Sequence, residues 1–447
     1  MLSAGVRLSI SRDSSRTFAT QTFCYVLGFA SSVVVARVLG PELKGVVAVT
    51  MLAPAMLALA VQLDLHFSML YLPGKHEKEM PALLGNALAT IIASGAIVLL
   101  GCWVLYEPLR QYLLPASDPD WLFAAILGVP AVVAAEIAMA AAVGLGRFDR
   151  YVMLYLVRNG LFPILTIVLV WAVGMEVGGV VVAFLATASL SALVGVALAS
   201  RDLRWRLELD RRLAGEMISF AMRTFPGTVL SLVNWRVDIL LLGILLDAKS
   251  MGVYSIAAMA QKLLFLPSAI GLAMIPKVTR FDEAERRDVV LRASRCTLWI
   301  TAAAAVAGAG AAWLLVVPVF GEAFAGAIAP FWILLPGVLG IGLTRVLRNY
   351  LSAIDRPELA SYSSAASLAV NISLGLLLIP RLELAGAAIA MTTAHLLYTL
   401  IVAVCFMRLS RSGPGEVFVL RRDDLRAMRE ALAKVAPGTQ APGGETP

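Results

Sequence analysis

Long apolar segments constrain this chain more than any other feature. Runs long enough to cross a bilayer, about 20 residues each, follow one another as far as Met407. Hydrophobic residues make up 60% of the chain and charged residues only 15%, which excludes an ordinary soluble globule. We predict an all-α integral membrane protein with twelve transmembrane helices, at 18–38, 45–71, 83–106, 121–145, 151–173, 177–199, 217–246, 251–275, 296–320, 325–346, 360–379 and 384–407.

The chain also resembles two copies of one six-helix unit. The turn LGPELKGV at 39–46 has a counterpart, LDAKSMGV, at 246–253, and GVVVA at 179–183 has a counterpart, GAAIA, at 386–390. Both pairs are 207 residues apart. Chance similarity in a chain rich in Ala, Val, Leu and Gly is the alternative. The shared offset favours duplication into two parallel-repeat lobes of six helices, as in several transporter folds.

The basic residues predict the orientation in the membrane. The net charge is +7, yet the loops on one side carry only Lys44, Arg110, Lys249 and Arg381, with Arg37 at the end of helix 1. The opposite loops and both termini carry most of the other Lys and Arg residues, and the positive-inside rule places that side in the cytoplasm. The basic excess therefore indicates topology in a bacterial inner membrane and not binding of nucleic acid.

Five regions follow from this topology. They are a cytoplasmic N-terminus (1–16), an N-lobe with helices 1–6 (17–199), a basic cytoplasmic inter-lobe loop (200–215), a C-lobe with helices 7–12 (216–408) and a cytoplasmic tail (409–447). The loop is either attracted to anionic lipid or a solvated linker. The tail is compatible with a charged helix at 421–434 and is predicted to be disordered from about residue 436. Asp64, near the cytoplasmic end of helix 2, is predicted to be interfacial.

Ionisable residues inside the predicted helices are functional candidates, because charge in a lipid environment is costly. Glu136 of helix 4 and Arg158 of helix 5 lie at similar depth and are predicted to pair, either for function or as a structural tie. Arg345 lies near the cytoplasmic mouth of helix 10. His395 of helix 12 is either a proton relay or a partner in helix–helix hydrogen bonding.

Helix 7 holds the densest group of polar residues. At 100° per residue, Arg223, Asn234 and Asp238 share one face, and Pro226 can kink the helix. We expect Asp238 to pair with Arg236 or with Lys262 of helix 8, which leaves the other cation for a ligand.

The balance of these groups predicts the sign of the cargo. Arg158, Arg223, Arg236, Lys262 and Arg345, the candidate substrate-binding residues, oppose only Glu136 and Asp238. Such a cavity favours an anion, since Arg and Lys bind phosphate through charge-assisted hydrogen bonds. Glu136, Asp238, Asn234 and His395 are candidates for ion pairing or coupling. No metal-ligand spacing, cofactor motif or catalytic loop is found, so an enzyme is not expected.

Four segments resemble a known family: RVLGPELKG at 37–45, DILLLG at 238–243 followed by GVYS at 252–255, FGEAF at 320–324, and IP at 379–380 leading into AGAAIA at 385–390. They are similar to bacterial polysaccharide repeat-unit flippases of the multidrug/oligosaccharidyl-lipid/polysaccharide (MOP) exporter superfamily, for O-antigen or exopolysaccharide. The resemblance implies a V-shaped pair of lobes with a cationic cavity. The implied cargo is an undecaprenyl-diphosphate-linked oligosaccharide, moved from the inner to the outer leaflet by alternating access.

Two departures refine the resemblance. The second-half turn lacks the Gly-Pro-Glu of the first, and no spanning segment follows Met407. The latter argues for the twelve-helix polysaccharide branch over lipid II flippases, which carry two further helices. Implied partners are the lipid bilayer and a polysaccharide polymerase and glycosyltransferase complex. The alternative function is a multidrug and toxin extrusion cation antiporter, although helix 1 lacks the acid such carriers often use. A non-transporting scaffold is a third hypothesis.

Overall fold

The computed structural model describes residues 4–72, 79–104, 106–108, 111, 118–203, 208–259, 283–354, 356, 358–421 and 423–424. These residues are mostly helical and include no β-strand. The helices are α1 Ala4–Gln62, α2 Leu65–Tyr71, α3 Met80–Val104, α4 Pro119–Leu127, α5 Val129–Gly144, α6 Phe148–Tyr155, α7 Leu161–Ile167, α8 Glu176–Leu203, α9 Arg211–Asn234, α10 Val237–Leu245, α11 Ala248–Ala257, α12 Glu283–Phe320, α13 Ile328–Ala353, α14 Glu358–Ser410 and α15 Pro414–Phe418. Short helical turns span Tyr106–Pro108, Leu156–Gly160, Val168–Ala172 and Glu322–Ala327.

The spans agree with an all-α membrane protein. By length and composition, the described residues contain eight helices able to cross a membrane, or nine if a bent pair counts as one span. Two of the eight, Ala19–Gln62 and Glu358–Ser410, are 44 and 53 residues long, about twice what one crossing needs. Each therefore holds two predicted helices. Predicted helix 8 continues past Met259, where the description stops, so the count of twelve is not confirmed in full.

Both long helices are interrupted where the sequence predicts a loop. Gly40 has φ 71 and ψ 179, a conformation that glycine adopts at little cost. Pro41 follows and suits the first turn of the next helix. Glu383 interrupts α14 with φ 49 and ψ −123. Beyond this break, Gly386 lies against the backbone of Leu378, so the chain folds back sharply.

Helix 7 is bent at a position the sequence did not indicate. Its halves Phe225–Asn234 and Val237–Leu245 meet at 47° around Trp235 and Arg236, whereas Pro226 lies within α9. The predicted common face of helix 7 is therefore wrong, because one helical wheel does not apply across the break. Arg223 is exposed, while Asn234 and Asp238 are buried.

The duplicated turns contact each other at the boundary between the lobes. A Cβ on Gly45 would overlap the Ala248 carbonyl oxygen, and a Cβ on Gly252 would overlap the Pro41 carbonyl oxygen. Gly252 lies 207 residues after Gly45, and Ala248 lies 207 residues after Pro41. Such reciprocal contacts arise where a two-fold axis relates two units. The geometry supports the predicted duplication and requires glycine at both positions.

The two lobes are joined through helix 1 on the side that carries the few basic residues. Arg37 Nε donates to the Val319 carbonyl oxygen at 2.9 Å, and its Nη2 donates to the Pro318 carbonyl oxygen. Phe29 packs edge-to-face on Phe320 with ring centroids 5.9 Å apart. The guanidinium therefore caps the carbonyl end of α12, where a cation is favourable.

α9, the first helix of the C-lobe, packs on the N-lobe at and beside α2. Ser68 Oγ donates to the Met217 carbonyl oxygen at 2.9 Å, and Thr228 Oγ1 donates to Asp64 Oδ2 at 2.8 Å. Asp64 is fully buried within the protein, and its predicted depth at the membrane interface stays a prediction. The break at Leu63 and Asp64, both with positive φ, interrupts helix 2 and brings the carboxylate to α9.

Helix ends also shorten the predicted inter-lobe loop. α8 runs to Leu203, and α9 begins at Arg211, where the Asp210 carboxylate accepts hydrogen bonds from the amides of Arg212 and Leu213. An aspartate in this position satisfies amides that a helix start leaves unpaired. The part of loop 200–215 that the structure describes is thus mostly helical.

The chain after α14 folds back onto α12. Arg295 makes two hydrogen bonds to the Asp424 carboxylate, at 2.6 and 3.0 Å, and a third at 2.6 Å to the Glu416 carbonyl oxygen. Arg287 Nη2 donates to Glu416 Oε2 at 2.7 Å, and Val417 is buried. Residues 411–424, with residue 422 undescribed, form the docked segment. The predicted tail helix and disordered end lie mainly or wholly outside the described residues.

Candidate functional site

Arg158 lies in an unusual turn in the middle of helix 5. The segment Leu156–Gly160 is π-helical, an insertion that is rare in proteins and frequent at functional sites. Arg158 Nη2 lies 3.5 Å from Glu136 Oε1, so the predicted pair is present. The exposed fractions of the two side chains, 17% and 34%, leave both accessible. The pair links helix 5 to helix 4 and retains an open edge.

Three tyrosines extend this site towards helix 1. Tyr151 and Tyr155 precede Arg158 by seven and three residues, which places all three on one helix face. The ring centroids of Tyr151 and Tyr155 are 5.7 Å apart. Gln21 Nε2 donates to the Tyr151 hydroxyl at 3.1 Å, and the hydroxyls of Tyr155 and Tyr25 are hydrogen-bonded. These residues form a polar aromatic stripe within two otherwise apolar helices.

The C-lobe contributes a second aromatic group around Arg345. The Arg345 guanidinium carbon lies 5.8 Å from the centre of the Trp235 ring, a cation–π arrangement. The Trp235 ring also lies 6.2 Å from the His395 ring, and His395 is buried. Within the described residues, His395 Nε2 has no hydrogen-bond partner, so hydrogen bonding between helices through this atom is not observed. Trp235 stands at the bend of helix 7, which presents its ring to helix 10.

The two groups face the boundary between the lobes. Tyr25 of helix 1 lies one helical turn before Phe29, which packs on Phe320 of the C-lobe, and the Tyr25 side chain is 43% exposed. The charge of Arg345 of helix 10 acts on Tyr25. We call the set Tyr25, Tyr151, Tyr155, Trp235 and Arg345 the interlobe aromatic site. The sequence argument identified Arg345 and missed the aromatic residues. The spacing of Tyr151, Tyr155 and Arg158 was the available signal, but aromatic side chains at helical spacing are more often core residues.

The buried polar residues of helices 7 and 11 form a separate network. Asn234 Nδ2 donates to Ser367 Oγ at 3.0 Å, and Asn371 Nδ2 donates to Asn234 Oδ1 at 3.1 Å. Asp238 Oδ2 accepts a hydrogen bond from the Tyr254 hydroxyl at 2.8 Å. Its Oδ1 accepts one from the Ile239 amide at 2.8 Å. These contacts satisfy the side chains within the C-lobe.

The predicted pairing of Asp238 with Arg236 or Lys262 stays a prediction. Over the described residues, Asp238 makes no ion pair with Arg236, which is exposed at the start of α10, although the charge of Arg236 acts on Asp238. Lys262, the other predicted partner, lies outside the described residues. Arg223 is exposed and donates to Ser219 Oγ at 3.4 Å. Within the part of the chain that the structure describes, neither Arg223 nor Arg236 makes a hydrogen bond or an ion pair with the interlobe aromatic site.

The described residues contain no group of three or more His, Cys, Asp or Glu side chains suited to a metal ion. All four cysteines are free thiols, and Cys24, Cys102 and Cys296 are buried.

Comparison with solved structures defines the class of this fold. The chain is similar to lipid II flippase MurJ in an inward closed conformation, with a TM-score of 0.73, 13% identity, and coverage of 93% of this chain and 90% of that one. It is also similar to a multidrug resistance MATE family transporter of the MOP superfamily. The inward-facing conformation gives a TM-score of 0.70 at 14% identity, with 87% and 94% covered, and the outward-facing one gives 0.63 at 15%, with 91% and 95% covered. The fold is that of MOP transporters.

The sequence identifies the family to which the chain belongs. It belongs to the polysaccharide biosynthesis protein family, whose profile matches residues 34–329. No curated protein matches it by sequence. Family and fold together make the chain a multi-span membrane protein of the polysaccharide biosynthesis family with the fold of MOP transporters, as the sequence resemblance predicted.

Proposed function

We propose that this chain is a flippase for a glycan linked to undecaprenyl diphosphate. It would move this lipid from the cytoplasmic to the outer leaflet of the bacterial inner membrane for cell-surface polysaccharide synthesis, with both chain termini in the cytoplasm. Alternating access of the two lobes would expose the site to each leaflet in turn. A polymerase and glycosyltransferases that make and consume the glycan are candidate partners.

One observation carries the proposal: Arg158 and Arg345, from different lobes, border the same interlobe aromatic site. Glu136 offsets only part of this charge. Guanidinium groups hold phosphate oxygens through paired, charge-assisted hydrogen bonds, so a diphosphate suits the site. Arg223, Arg236 and Lys262 stay candidates for a second contact along the path of the head group.

A cation antiporter is the second candidate, because the same fold serves multidrug transporters. It would need an available carboxylate. Both Asp238 oxygens accept hydrogen bonds, and Glu136 pairs with Arg158, so these acids offer a cation little. This candidate would require coupling through a protonation cycle at Glu136, Asp238 or His395. Asn234 would be a neutral polar neighbour one turn before Asp238 on helix 7.

The test is complementation of a strain deleted for the gene. Arg345→Ala should lower export of surface glycan about 10- to 100-fold, the loss expected for one or two charge-assisted hydrogen bonds. Lipid-linked glycan should then accumulate on the inner face of spheroplasts. Arg381→Ala is the matched control, because Arg381 is exposed and bonds only to the Leu377 carbonyl oxygen. Normal surface glycan in the deletion strain, with raised sensitivity to cationic drugs, would instead establish the antiporter.

A further inference from the structure

We infer that the interlobe aromatic site binds the sugar residue next to the diphosphate, with Tyr25 and Tyr155 as its specificity-determining residues. This inference rests on the proposed function and deepens it, because it separates recognition of the glycan from recognition of the diphosphate. The cationic groups would hold any polyprenyl diphosphate. The tyrosines would distinguish a lipid that carries sugar from one that does not.

The N-lobe side of the site has the composition of a sugar-binding surface. Tyr25, Tyr151 and Tyr155 offer ring faces, and their hydroxyls are already ordered by hydrogen bonds to each other or to Gln21. Sugar rings have apolar C–H faces that pack on aromatic rings and hydroxyls that exchange hydrogen bonds at the rim. Tyrosine provides both an apolar body and a polar end, and its two rotatable bonds limit the entropy lost on binding.

The C-lobe side determines the position of the diphosphate relative to the sugar. Arg345 covers the Trp235 ring, and Tyr25 faces the C-lobe from helix 1, one turn before Phe29 and its contact with Phe320. The charge of Arg345 acts on Tyr25 across this boundary. A phosphate held by Arg345 would therefore lie beside Tyr25, and the first sugar attached to it would reach the tyrosines. The polyprenyl chain would not suit this site, because the tyrosine hydroxyls and two guanidinium groups are polar. It would remain in the surrounding lipid.

The same geometry disfavours a cationic ligand. Aromatic rings attract cations over their faces, but the Trp235 face is occupied by a guanidinium. Arg158 follows Tyr155 by three residues on the same face of helix 5. A second cation placed against these rings would be repelled at short range. A neutral polar ring attached to an anion meets no such repulsion.

The experiment compares two lipid probes on the full chain in nanodiscs. One probe is undecaprenyl diphosphate, and the other is the undecaprenyl-diphosphate-linked glycan extracted from the deletion strain. We expect Tyr25→Ala and Tyr155→Ala each to weaken binding of the glycan-bearing lipid about tenfold and to leave binding of undecaprenyl diphosphate within twofold. Retained binding of the second probe also shows that a variant is folded. Tyr25→Phe should lie between wild type and Tyr25→Ala, because it keeps the ring.

Phe23→Ala is the matched control. Phe23 lies two residues before Tyr25 on helix 1, about 200° around the helix and therefore on nearly the opposite face. Its side chain is 55% exposed. It should leave both affinities unchanged. Equal weakening of both probes in both tyrosine variants, or unchanged binding of both, overturns the inference and leaves the proposed function standing. Binding of neither probe by the wild-type chain overturns the two together. Tight binding of ethidium that Tyr25→Ala abolishes would assign the site to cations instead.

Discussion

At the scale of single residues, two buried acids of this protein bind hydroxyl groups. Asp238 accepts its side-chain hydrogen bond from Tyr254, and Asp64 accepts one from Thr228. A hydroxyl satisfies a carboxylate oxygen without bringing a second charge into the membrane, whose desolvation is costly. Glu136 and Asp424 instead pair with Arg158 and Arg295.

Tyr254→Phe should therefore destabilise the protein. The substitution removes the hydroxyl and leaves Asp238 Oδ2 buried without its donor, at a cost of about 1–3 kcal/mol. We expect a lower unfolding temperature in detergent and retained glycan export at normal expression. Tyr362→Phe, which changes a 71% exposed tyrosine, should not alter the unfolding temperature. Equal unfolding temperatures for wild type and Tyr254→Phe would contradict the role assigned to this hydrogen bond.

These residues also show how far sequence reasoning reaches. Glu136 and Arg158 were paired correctly, because a short loop joins their helices and fixes their relative depth. For Asp238, charge suggested Arg236 or Lys262 as partners, whereas the hydrogen-bond donor observed is the Tyr254 hydroxyl, sixteen residues further along the chain. Charge alone gave no reason to choose it.

At the scale of elements, the docked segment at 411–424 is held by charges outside the membrane. Burial alone would raise the pKa of Asp424. Hydrogen bonds from the Arg295 guanidinium and the Arg421 amide outweigh burial and lower that pKa below its ordinary value. A hydrogen bond from the Gly413 amide, followed by the charge of Arg287, likewise lowers the pKa of Glu416. Both carboxylates are therefore ionised at neutral pH and stabilise docking on α12.

Docking of this segment should depend on pH and on Asp424. A carboxylate whose pKa is lowered on folding stabilises the folded state above its unfolded pKa of about 3.9. That stabilisation is lost as the pH falls through the lower folded value. We expect the protection of residues 411–421 against amide hydrogen exchange, relative to unstructured peptide at the same pH, to fall below about pH 4 and, at pH 7, in Asp424→Asn. Asp423→Asn, a change at an exposed neighbour, should exchange like wild type. Equal protection in the two variants would remove Asp424 from this role.

Elements were predicted with uneven success. Helix positions followed from hydropathy, because the bilayer imposes both composition and length. The π-helical turn at Arg158, the bend at Trp235 and the docking of 411–424 depend on packing between distant segments and have no comparable signal in one sequence. Gly40 was recognisable as a turn, since glycine followed by proline rarely continues a helix. Glu383 was not.

At the scale of the whole molecule, the two lobes meet through paired glycines. Gly252→Ala would place a methyl group against the Pro41 carbonyl oxygen, and neither backbone can move without displacing a helix. We expect a cost of about 1–3 kcal/mol or more, as for overpacked sites, seen as reduced membrane abundance and a lower unfolding temperature. Gly45→Ala should behave alike. Gly310→Ala, on α12 with open space at the Cβ position, is the control. Normal abundance of Gly252→Ala would disprove the close contact.

Arg37 should hold the two lobes together where the end of helix 1 meets the end of α12. Arg37→Ala removes the hydrogen bonds to Val319 and Pro318, so the lobes should separate more often on that side. The measurement is labelling of Phe29→Cys by a membrane-impermeant maleimide, since this position faces Phe320 at the same boundary. We expect the labelling rate to rise several-fold in the Arg37→Ala background. Lys249→Ala, which removes an outer-side cation from another element, should leave it unchanged. An unchanged rate with Arg37→Ala would show that other contacts keep the lobes together.

The contact between Gly45 and Gly252 has a consequence for leakage. Side-chain gates can open partly through a change of rotamer, and water or protons then follow. Here carbonyl groups lie directly on glycine backbones, so no side chain is present to rearrange. At this contact, the two lobes can separate only if whole helices move. If the protein moves a bulky lipid head group as proposed, it would in this way avoid dissipating the ion gradients of its membrane.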